Sequence, residues 1–267
     1  MLEEQLERRW PSALQLAFEA ATGTLSHFQN PQLVVEQKAD LSPVTIADRE
    51  AELFLRERLL ARFPDDGFIG EEFGEVKGRS GFRWIADPID GTKSFICGVP
   101  LYSTLLGLLW QDQSVAGAII VPGLDEAVSA ARGRGAWHWR GGQRQPASVA
   151  GRGSLGGAVF VTSQVDSFAR RGAESVFLGL QQAAAITRTW GDGYGYLLVA
   201  TGRADLMVDP FMHLWDAAAI QPIIDEAGGI FVDWRGNRTV HSGEGLATNQ
   251  DLLESVLAVT RQAPSLS

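Results

Sequence analysis

The feature that most restricts this chain is an apolar stretch that ends in two closely spaced acids. Residues 82–86 are largely apolar, and Asp87 and Asp90 follow at once, separated by a proline and an isoleucine. Proline stiffens such a turn, and Gly91 allows a close approach of the backbone. Two carboxylates held this close form a compact cage for a hard divalent cation. An ordinary strand-to-helix turn uses the same residue types, so the segment alone leaves both interpretations open.

Two further acidic segments favour the cation site. Glu71 and Glu72 lie between the apolar pair 68–69 and glycines, so at least one of them is expected near the backbone rather than in solvent. Asp216 opens an alanine-rich, helix-forming run, where an acid can also serve as an N-cap or first-turn residue.

Together these acids predict one site. Glu71, Asp87, Asp90, Asp216 and the main-chain carbonyl of Ile89 would supply oxygen ligands only. Such a set suits Mg²⁺ or Mn²⁺. No matching Cys/His cluster occurs in the sequence, which argues against zinc.

Three motifs, at 70–72, 87–92 and 215–219, resemble those of one enzyme family in order and spacing. This family is the inositol monophosphatase superfamily of metal-dependent, lithium-sensitive phosphatases, and the resemblance covers nearly the whole chain. It implies an α+β fold, the layered αβαβα sandwich of the inositol monophosphatase and fructose-1,6-bisphosphatase type. It also implies an N-terminal α+β half (1–148) with most metal ligands, a C-terminal α/β half (149–267) that completes the active site, and a homodimer.

Within this superfamily the chain is most similar to the histidinol-phosphate phosphatases. The similarity rests on residues 87–102 and 188–196, and one departure is Cys97, where those relatives usually carry histidine. It implies a Mg²⁺-dependent phosphomonoesterase that hydrolyses L-histidinol phosphate in histidine biosynthesis. The alternatives on this fold are phosphatases for inositol 1-phosphate, sugar phosphates or a nucleotide 3′-phosphate. A non-catalytic metal- or phospholigand-binding protein is disfavoured, because all expected ligands and Thr92 are present.

The resemblance also implies a role for each metal ligand. Glu71, Asp87 and the Ile89 carbonyl would hold a first Mg²⁺, and Asp87, Asp90 and Asp216 a second, so that Asp87 bridges the ions. Glu71 would help to place a weaker third ion and to assist catalysis, and Mn²⁺ can substitute for Mg²⁺. Two close metals suit phosphate-ester hydrolysis, because they stabilise charge on both the entering and the leaving oxygen.

Other residues are expected around the phosphate. Thr92, backed by Asp48, would position the attacking water, although the segment 45–48 also has the form of a capping box. The amides of Gly91 and Thr92 are expected to begin a helix whose N-terminus faces the phosphate. Lys38 occupies the loop position that closes over the metal site in the family, but a loop lysine is also commonly just solvated.

Two more acids are expected at the substrate. Asp209 lies seven residues before the third-motif acid, where relatives acting on inositol phosphate place an acid that contacts the ring. Asp192 stands where those relatives carry small neutral residues, and its alternative role is to cap a helix beginning near Tyr194. An added carboxylate suits a substrate with an ammonium and an imidazole, since each donates charge-assisted hydrogen bonds. The full set expected to contact the substrate is Asp90, Gly91, Thr92, Asp192 and Asp209.

Composition limits the partners and the compartment. The 267 residues are 45% apolar, enough for a sizeable core, and the net charge of −9 argues against nucleic acid as a partner. No apolar stretch approaches the length of a membrane span, and the charged segment 1–9 does not resemble a secretory signal, so the cytoplasm is expected. The single cysteine, Cys97, excludes an internal disulfide and is expected to be a small buried apolar residue.

Apolar periodicity predicts helices, then strands, then an alternation of both. A helix is expected at 2–28, with a bend or late start at Pro11, and a second one, capped at 45, ends near 63. The intervening residues 34–48 are predicted as a loop. An antiparallel sheet is expected from strands at 103–110, 114–121 and 126–131. Further strands are predicted at 158–162, 186–189 and 204–208, and helices at 194–201 and 216–227.

Overall fold

The structure, a computed structural model, describes residues 1–266, which form fifteen β-strands and eight α-helices. The strands are β1 (Val35–Gln37), β2 (Pro43–Thr45), β3 (Gly67–Gly70), β4 (Gly74–Val76), β5 (Phe82–Asp90), β6 (Ser103–Trp110), β7 (Gln113–Val121), β8 (Glu126–Ala131), β9 (Ala136–Arg140), β10 (Gln143–Pro146), β11 (Val159–Val161), β12 (Ile186–Arg188), β13 (Leu206–Asp209), β14 (Ile230–Val232) and β15 (Gly245–Thr248). The helices are α1 (Leu2–Thr24), α2 (Ile46–Arg62), α3 (Thr92–Ile96), α4 (Asp166–Arg170), α5 (Glu174–Ala183), α6 (Asp192–Ala200), α7 (Leu214–Glu226) and α8 (Gln250–Thr260).

The first large sheet has the strand order β10-β9-β8-β7-β6-β5-β3-β4. Its neighbours are antiparallel except β3 and β5, which are parallel. The strands predicted at 103–110 and 126–131 coincide with β6 and β8, and the strand predicted at 114–121 begins one residue earlier as β7. The predicted antiparallel sheet is therefore confirmed.

Both faces of this sheet are covered by helices. Alternate residues of a strand point to opposite faces, so Trp84 and Ala86 of β5 pack with α1 and α2, whereas Ile85 packs with α6 and α7. Strands buried on both faces need apolar residues at nearly every position. This requirement explains why β6 and β7 are almost continuous apolar runs.

Helix α7 lies close to β6 and β7 because both sides of the contact carry small residues. A Cβ on Gly117 would lie 1.9 Å from the Ala219 carbonyl oxygen, and one on Gly107 would lie 2.8 Å from the Ala218 carbonyl carbon. Only glycine permits such an approach of two backbones. The alanine run after Asp216 therefore lets α7 rest on the sheet, with its first turn at the end of β5.

The second sheet has the order β12-β11-β13-β15-β14, with β11 parallel to β12 and β13 and the other pairs antiparallel. Helices α6 and α7 fill the space between the two sheets, and α4, α5 and α8 cover the outer face of the second. The layers therefore run αβαβα, which confirms the expected fold class. The division of the chain at 148/149 stays a prediction, since α6 and α7 from the second part pack directly on the first sheet.

Two local predictions need correction. Helix α1 runs through Pro11 without a late start and ends at Thr24. The predicted loop at 34–48 contains an antiparallel hairpin of β1 and β2, with Val35 paired to Thr45. All three residues of β1 are exposed, so the strand forms through backbone pairing and leaves no apolar pattern in the sequence.

The prediction of a buried Cys97 is wrong, since this residue is exposed. It is the C-cap of the five-residue helix α3, whose buried position is taken by Phe95. None of the helices within residues 1–266 combines the length and apolar character that crossing a bilayer requires.

Candidate active site

Three carboxylates meet where β5 ends and α7 begins. Asp87 and Asp90 lie at the end of β5, and Asp216 lies in the first turn of α7. One oxygen from each carboxylate lies within 4.8 Å of the others. The structure thus brings together three of the five predicted metal ligands.

The end of β5 is shaped to present both of its acids. The pairing of β5 with β6 shifts register between Asp87 and Asp90. The Thr104 hydroxyl donates to the Pro88 carbonyl at 2.7 Å, and the Ile89 N–H donates to Asp87 Oδ1 at 3.1 Å. These bonds fix the irregular turn that separates the two carboxylates.

The other two acids are also held by donors. Asp90 Oδ2 accepts a hydrogen bond from the Ser103 hydroxyl at 2.9 Å and another from the Gly193 N–H. Asp216 Oδ2 accepts from the His213 N–H at 2.6 Å, as part of a capping box on α7. Asp216 is therefore both a cap partner of the helix and a member of the cluster.

Burial, followed by repulsion from neighbouring acids, raises the pKa of all three carboxyls. For Asp87 the main repulsion comes from Glu71 and Asp90, and for Asp90 it comes from Asp192 and Asp216. The pKa of Asp216 lies at about 7. Burying like charges is costly unless a cation compensates them. The cluster, made of carboxylate oxygens, fits a hard divalent cation.

Glu71 acts on the cluster electrostatically, but its carboxylate is bound by Lys38. The Lys38 ammonium donates to Glu71 Oε1 at 2.7 Å and to Glu72 Oε1 at 2.5 Å. Although burial opposes the charged form, the two carboxylates raise the pKa of Lys38 above its ordinary value. With 23% of its side chain exposed, Lys38 is a counter-ion of this site rather than a solvated loop residue.

Two other predicted groups have local hydrogen-bond partners. The Ile89 carbonyl accepts a bond from the Thr92 hydroxyl at 3.0 Å. Asp48 Oδ2 accepts from the Thr45 N–H at 2.8 Å and hydroxyl at 2.6 Å, which confirms the predicted capping box. Within residues 1–266 no hydrogen bond joins Asp48 to Thr92. Helix α3 begins at Thr92, as predicted, after Gly91 in the left-handed conformation (φ 83°).

A cavity of about 180 Å³ opens beside the three acids. Its polar lining includes Asp90, Ser163, Gln164, Ser167, Asp192, Asp209 and Asp216. A larger cavity of about 580 Å³ lies around the C-terminal end of α7, but its acids are already paired. There Arg238 donates to Asp225 at 2.6 Å, and Glu226 accepts two main-chain N–H groups. The smaller cavity is the one that adjoins the acid cluster.

Asp209 lines the cavity with a carboxylate that already accepts four hydrogen bonds. Ser163 donates its N–H to Oδ1 and its hydroxyl to Oδ2, both at 3.0 Å. The Thr162 hydroxyl donates to Oδ1 at 3.2 Å and the Tyr196 hydroxyl to Oδ2 at 3.1 Å. The expected contact of Asp209 with the substrate stays a prediction.

Asp192 is the first residue of α6, and the N-cap is Gly191. The alternative that Asp192 caps this helix is therefore wrong. Its backbone is left-handed (φ 53°), and its N–H donates to the Ser163 hydroxyl at 2.8 Å. Its carboxylate faces Gly91, where a Cβ would lie 2.8 Å from Oδ2. Burial, followed by repulsion from Asp209, raises the pKa of Asp192 to about 6.

Several residues of the cavity were not predicted from the sequence. They include Ser163, Gln164, Ser167, Tyr196 and Phe211. Ser163 and Gln164 follow the predicted strand 158–162 at its C-terminal end. Ligands of α/β sheets commonly bind beyond such strand ends. The position of Ser163 and Gln164 could therefore have identified them as site residues from the sequence.

The chain is similar to members of one protein family in both sequence and fold. The model of the inositol monophosphatase family matches residues 6–265. The chain is 43% identical to a histidinol-phosphatase of Chlorobaculum parvum (88% of this chain, 90% of the relative) and 39% identical to one of Mycobacterium tuberculosis (92% and 95%). It is 31% identical to an inositol-1-monophosphatase of Rhizobium meliloti (93% and 94%). The solved structure of the Thermotoga maritima IMPase superposes with a TM-score of 0.84 at 27% identity, covering 95% of this chain and 97% of that one.

Proposed function

The chain is a phosphatase of the inositol monophosphatase family, and we propose that it hydrolyses L-histidinol phosphate to L-histidinol and phosphate, with Mg²⁺ as cofactor, in histidine biosynthesis. The observation that carries this substrate is the half-buried carboxylate of Asp192, in the cavity beside Asp90 and Asp216. The higher identity to two proteins named histidinol-phosphatase than to one named inositol-1-monophosphatase supports the same choice.

Two or three Mg²⁺ ions per site would be held by Asp87, Asp90 and Asp216, with Glu71 and the Ile89 carbonyl as further ligands, and Mn²⁺ suits the same oxygens. When bound, such ions neutralise charge on the phosphate ester and lower the pKa of coordinated water. Within the protein, burial and the hydrogen bonds to these acids preorganise the site before the substrate arrives.

Thr92 and Asp48 would position the attacking water and accept its proton. Burial raises the pKa of Asp48, which makes its carboxylate a better proton acceptor than an exposed aspartate. The Thr92 hydroxyl would exchange its bond to the Ile89 carbonyl for one to the reacting water. The N–H groups of Gly91 and Thr92, at the start of α3, would donate to the phosphate.

The leaving group would be recognised by Asp192. L-Histidinol carries an ammonium and an imidazole, and each can donate a charge-assisted hydrogen bond to a carboxylate. A neutral polyol can offer only weaker bonds. Asp209 would contribute by holding Ser163 in the cavity wall, because its own oxygens already accept four bonds.

We further propose that the enzyme acts in the cytoplasm as a homodimer. The family resemblance supports the dimer, and the single cysteine fits a reducing compartment. Light scattering after size exclusion would test the dimer, and fractionation of the source cells would test the compartment.

The metal requirement is tested by phosphate release from L-histidinol phosphate. Activity should be lost in excess chelator, return with Mg²⁺ or Mn²⁺, and be inhibited by Li⁺. Full activity in excess chelator would contradict a metal-dependent mechanism.

A second candidate function is hydrolysis of inositol 1-phosphate or a related sugar phosphate. It is favoured by Asp209, which stands seven residues before Asp216, where relatives acting on inositol phosphate carry an acid that contacts the ring. Substrate kinetics separate the two candidates, because only the histidinol substrate carries a positive charge for Asp192.

A further inference from the structure

A buried glutamate on α2 lies directly behind the turn that carries Glu71. Glu52 is fully buried, and its carboxylate accepts hydrogen bonds from two consecutive main-chain N–H groups. The Glu72 N–H donates to Oε2 at 2.7 Å, and the Phe73 N–H donates to Oε1 at 2.9 Å. The carboxylate thus holds the two peptide groups that follow Glu71.

Gly70, the residue before Glu71, leaves the space that the Glu52 carboxylate occupies. A Cβ on Gly70 would lie 2.1 Å from Glu52 Oε1, so any larger residue would displace the carboxylate. Gly70 pairs with Ala86 in the parallel ladder of β3 and β5. Glu71 and Asp87 are the next residues after this pair, so they lie next to each other at the ends of the two strands.

Each of these two N–H groups needs an acceptor oxygen on the side chain at position 52. A glutamine at position 52 has nearly the same shape, but it offers one acceptor oxygen and an NH₂ group that cannot accept. One of the two N–H groups would then be buried without a partner, and the turn would have to move to regain one. The charge itself is unfavourable here, because burial and the nearby Glu71 both raise the pKa of Glu52. The carboxylate at this position is therefore costly to ionise, but it supplies an acceptor for each of the two N–H groups.

We propose that Glu52 is a positioning residue for the metal site: it fixes the main chain at Glu71, and so sets the affinity of the site for a divalent cation. The proposal rests on the metal-dependent function proposed above. It assigns Glu52 no contact with the substrate or with the reacting atoms. A residue that served only the fold would change stability without changing metal affinity.

The test compares Glu52→Gln with Glu57→Gln, an exposed glutamate on the same helix. Mn²⁺ binding to each full-length protein is measured by the loss of the free-ion EPR signal, and folding is checked by circular dichroism. Glu52→Gln should weaken Mn²⁺ binding by about tenfold, the size typical of outer partners of metal ligands, whereas Glu57→Gln should bind like the wild type. At saturating Mg²⁺, the KM for the phosphate ester should stay within about twofold of the wild-type value.

A second measurement applies to the wild type, so that it holds even if the variant does not fold. In the metal-free protein the amides of Glu72 and Phe73 should exchange with solvent at least about a hundredfold more slowly than that of exposed Lys77. Equal Mn²⁺ affinity of folded Glu52→Gln and wild type, or unprotected amides at 72 and 73, would overturn the proposal. If the wild type itself bound no Mn²⁺, the proposed function would fail and this inference with it.

Discussion

Ser163 and Asp209 are joined by two hydrogen bonds, from the N–H of Ser163 to Oδ1 and from its hydroxyl to Oδ2, both at 3.0 Å. The same hydroxyl accepts a bond from the N–H of Asp192. Asp209 is thus occupied in holding the cavity wall, whereas the carboxylate of Asp192 faces the cluster of acids. The two acids that looked alike in the sequence should therefore respond differently to substitution.

Asp192→Asn should impair recognition of a cationic substrate. Loss of a charge-assisted hydrogen bond costs about 1.5–3 kcal/mol, so the KM for L-histidinol phosphate should rise by roughly 10- to 100-fold. For a neutral sugar phosphate the change should be much smaller, and the metal requirement should stay. Steady-state kinetics with both substrates measure this difference. The exposed Asp166→Asn is the matched control, and equal changes for the two substrates would argue against a role of Asp192 in specificity.

Asp209→Asn should mainly reduce stability. An asparagine cannot accept all four bonds, so at least one buried donor loses its partner, which costs about 2 kcal/mol. Denaturant unfolding of the metal-free protein should show this loss, while Asp192→Asn should not. An Asp209→Asn protein as stable as the wild type but with a raised KM would instead indicate direct contact with the substrate.

Asp87→Asn should abolish turnover and leave the fold intact. The substitution removes the charge expected to bridge two ions, and losing about 4 kcal/mol of transition-state stabilisation lowers kcat/KM by roughly a thousandfold. Phosphate release and circular dichroism of the purified variant measure the two effects. Near-normal activity with unchanged Mg²⁺ dependence would show that the metal site is assigned wrongly.

The metal-free protein should lose stability as pH rises. Asp87, Asp90 and Asp216 have higher pKa values in the folded state, so the folded state binds more protons, and the free energy of unfolding falls with increasing pH. For Asp216 the fall extends from the ordinary pKa of 3.8 to about 7. The urea concentration at the midpoint of unfolding, measured with chelator present, should therefore be lower at pH 8 than at pH 5.

Two comparisons isolate the cause of this pH effect. Added Mg²⁺ should restore the midpoint at pH 8, and Asp216→Asn should make the metal-free midpoint less sensitive to pH. A midpoint that rises from pH 5 to pH 8 in chelator, in both wild type and variant, would contradict the raised pKa values of these carboxyls.

The sequence predicted those features that local patterns determine. Strands β6 and β8 follow from apolar runs between turn residues, and the capping box at Thr45 and Asp48 from its own spacing. The cluster of Asp87, Asp90 and Asp216 was predicted from motifs and family resemblance.

Features that depend on tertiary packing could not be predicted in this way. Glu52 lies on helix α2, and the apolar periodicity of this helix does not distinguish a buried carboxylate from a solvated one. Its hydrogen-bond partners lie in the turn between β3 and β4. The pairing of Lys38 with two glutamates, the outward orientation of Cys97 and the hydrogen bonds to Asp209 likewise depend on how distant segments meet. Each of these needs the three-dimensional structure, because no local pattern encodes the partner.

Substrate selectivity is measured by the ratio of kcat/KM for L-histidinol phosphate to that for inositol 1-phosphate, on the wild type at saturating Mg²⁺. A carboxylate that selects a cation by about 1.5–3 kcal/mol predicts a ratio of roughly 10 to 100 or more in favour of L-histidinol phosphate. A ratio of one or below would contradict the assigned substrate, while the phosphatase activity of the family would stand.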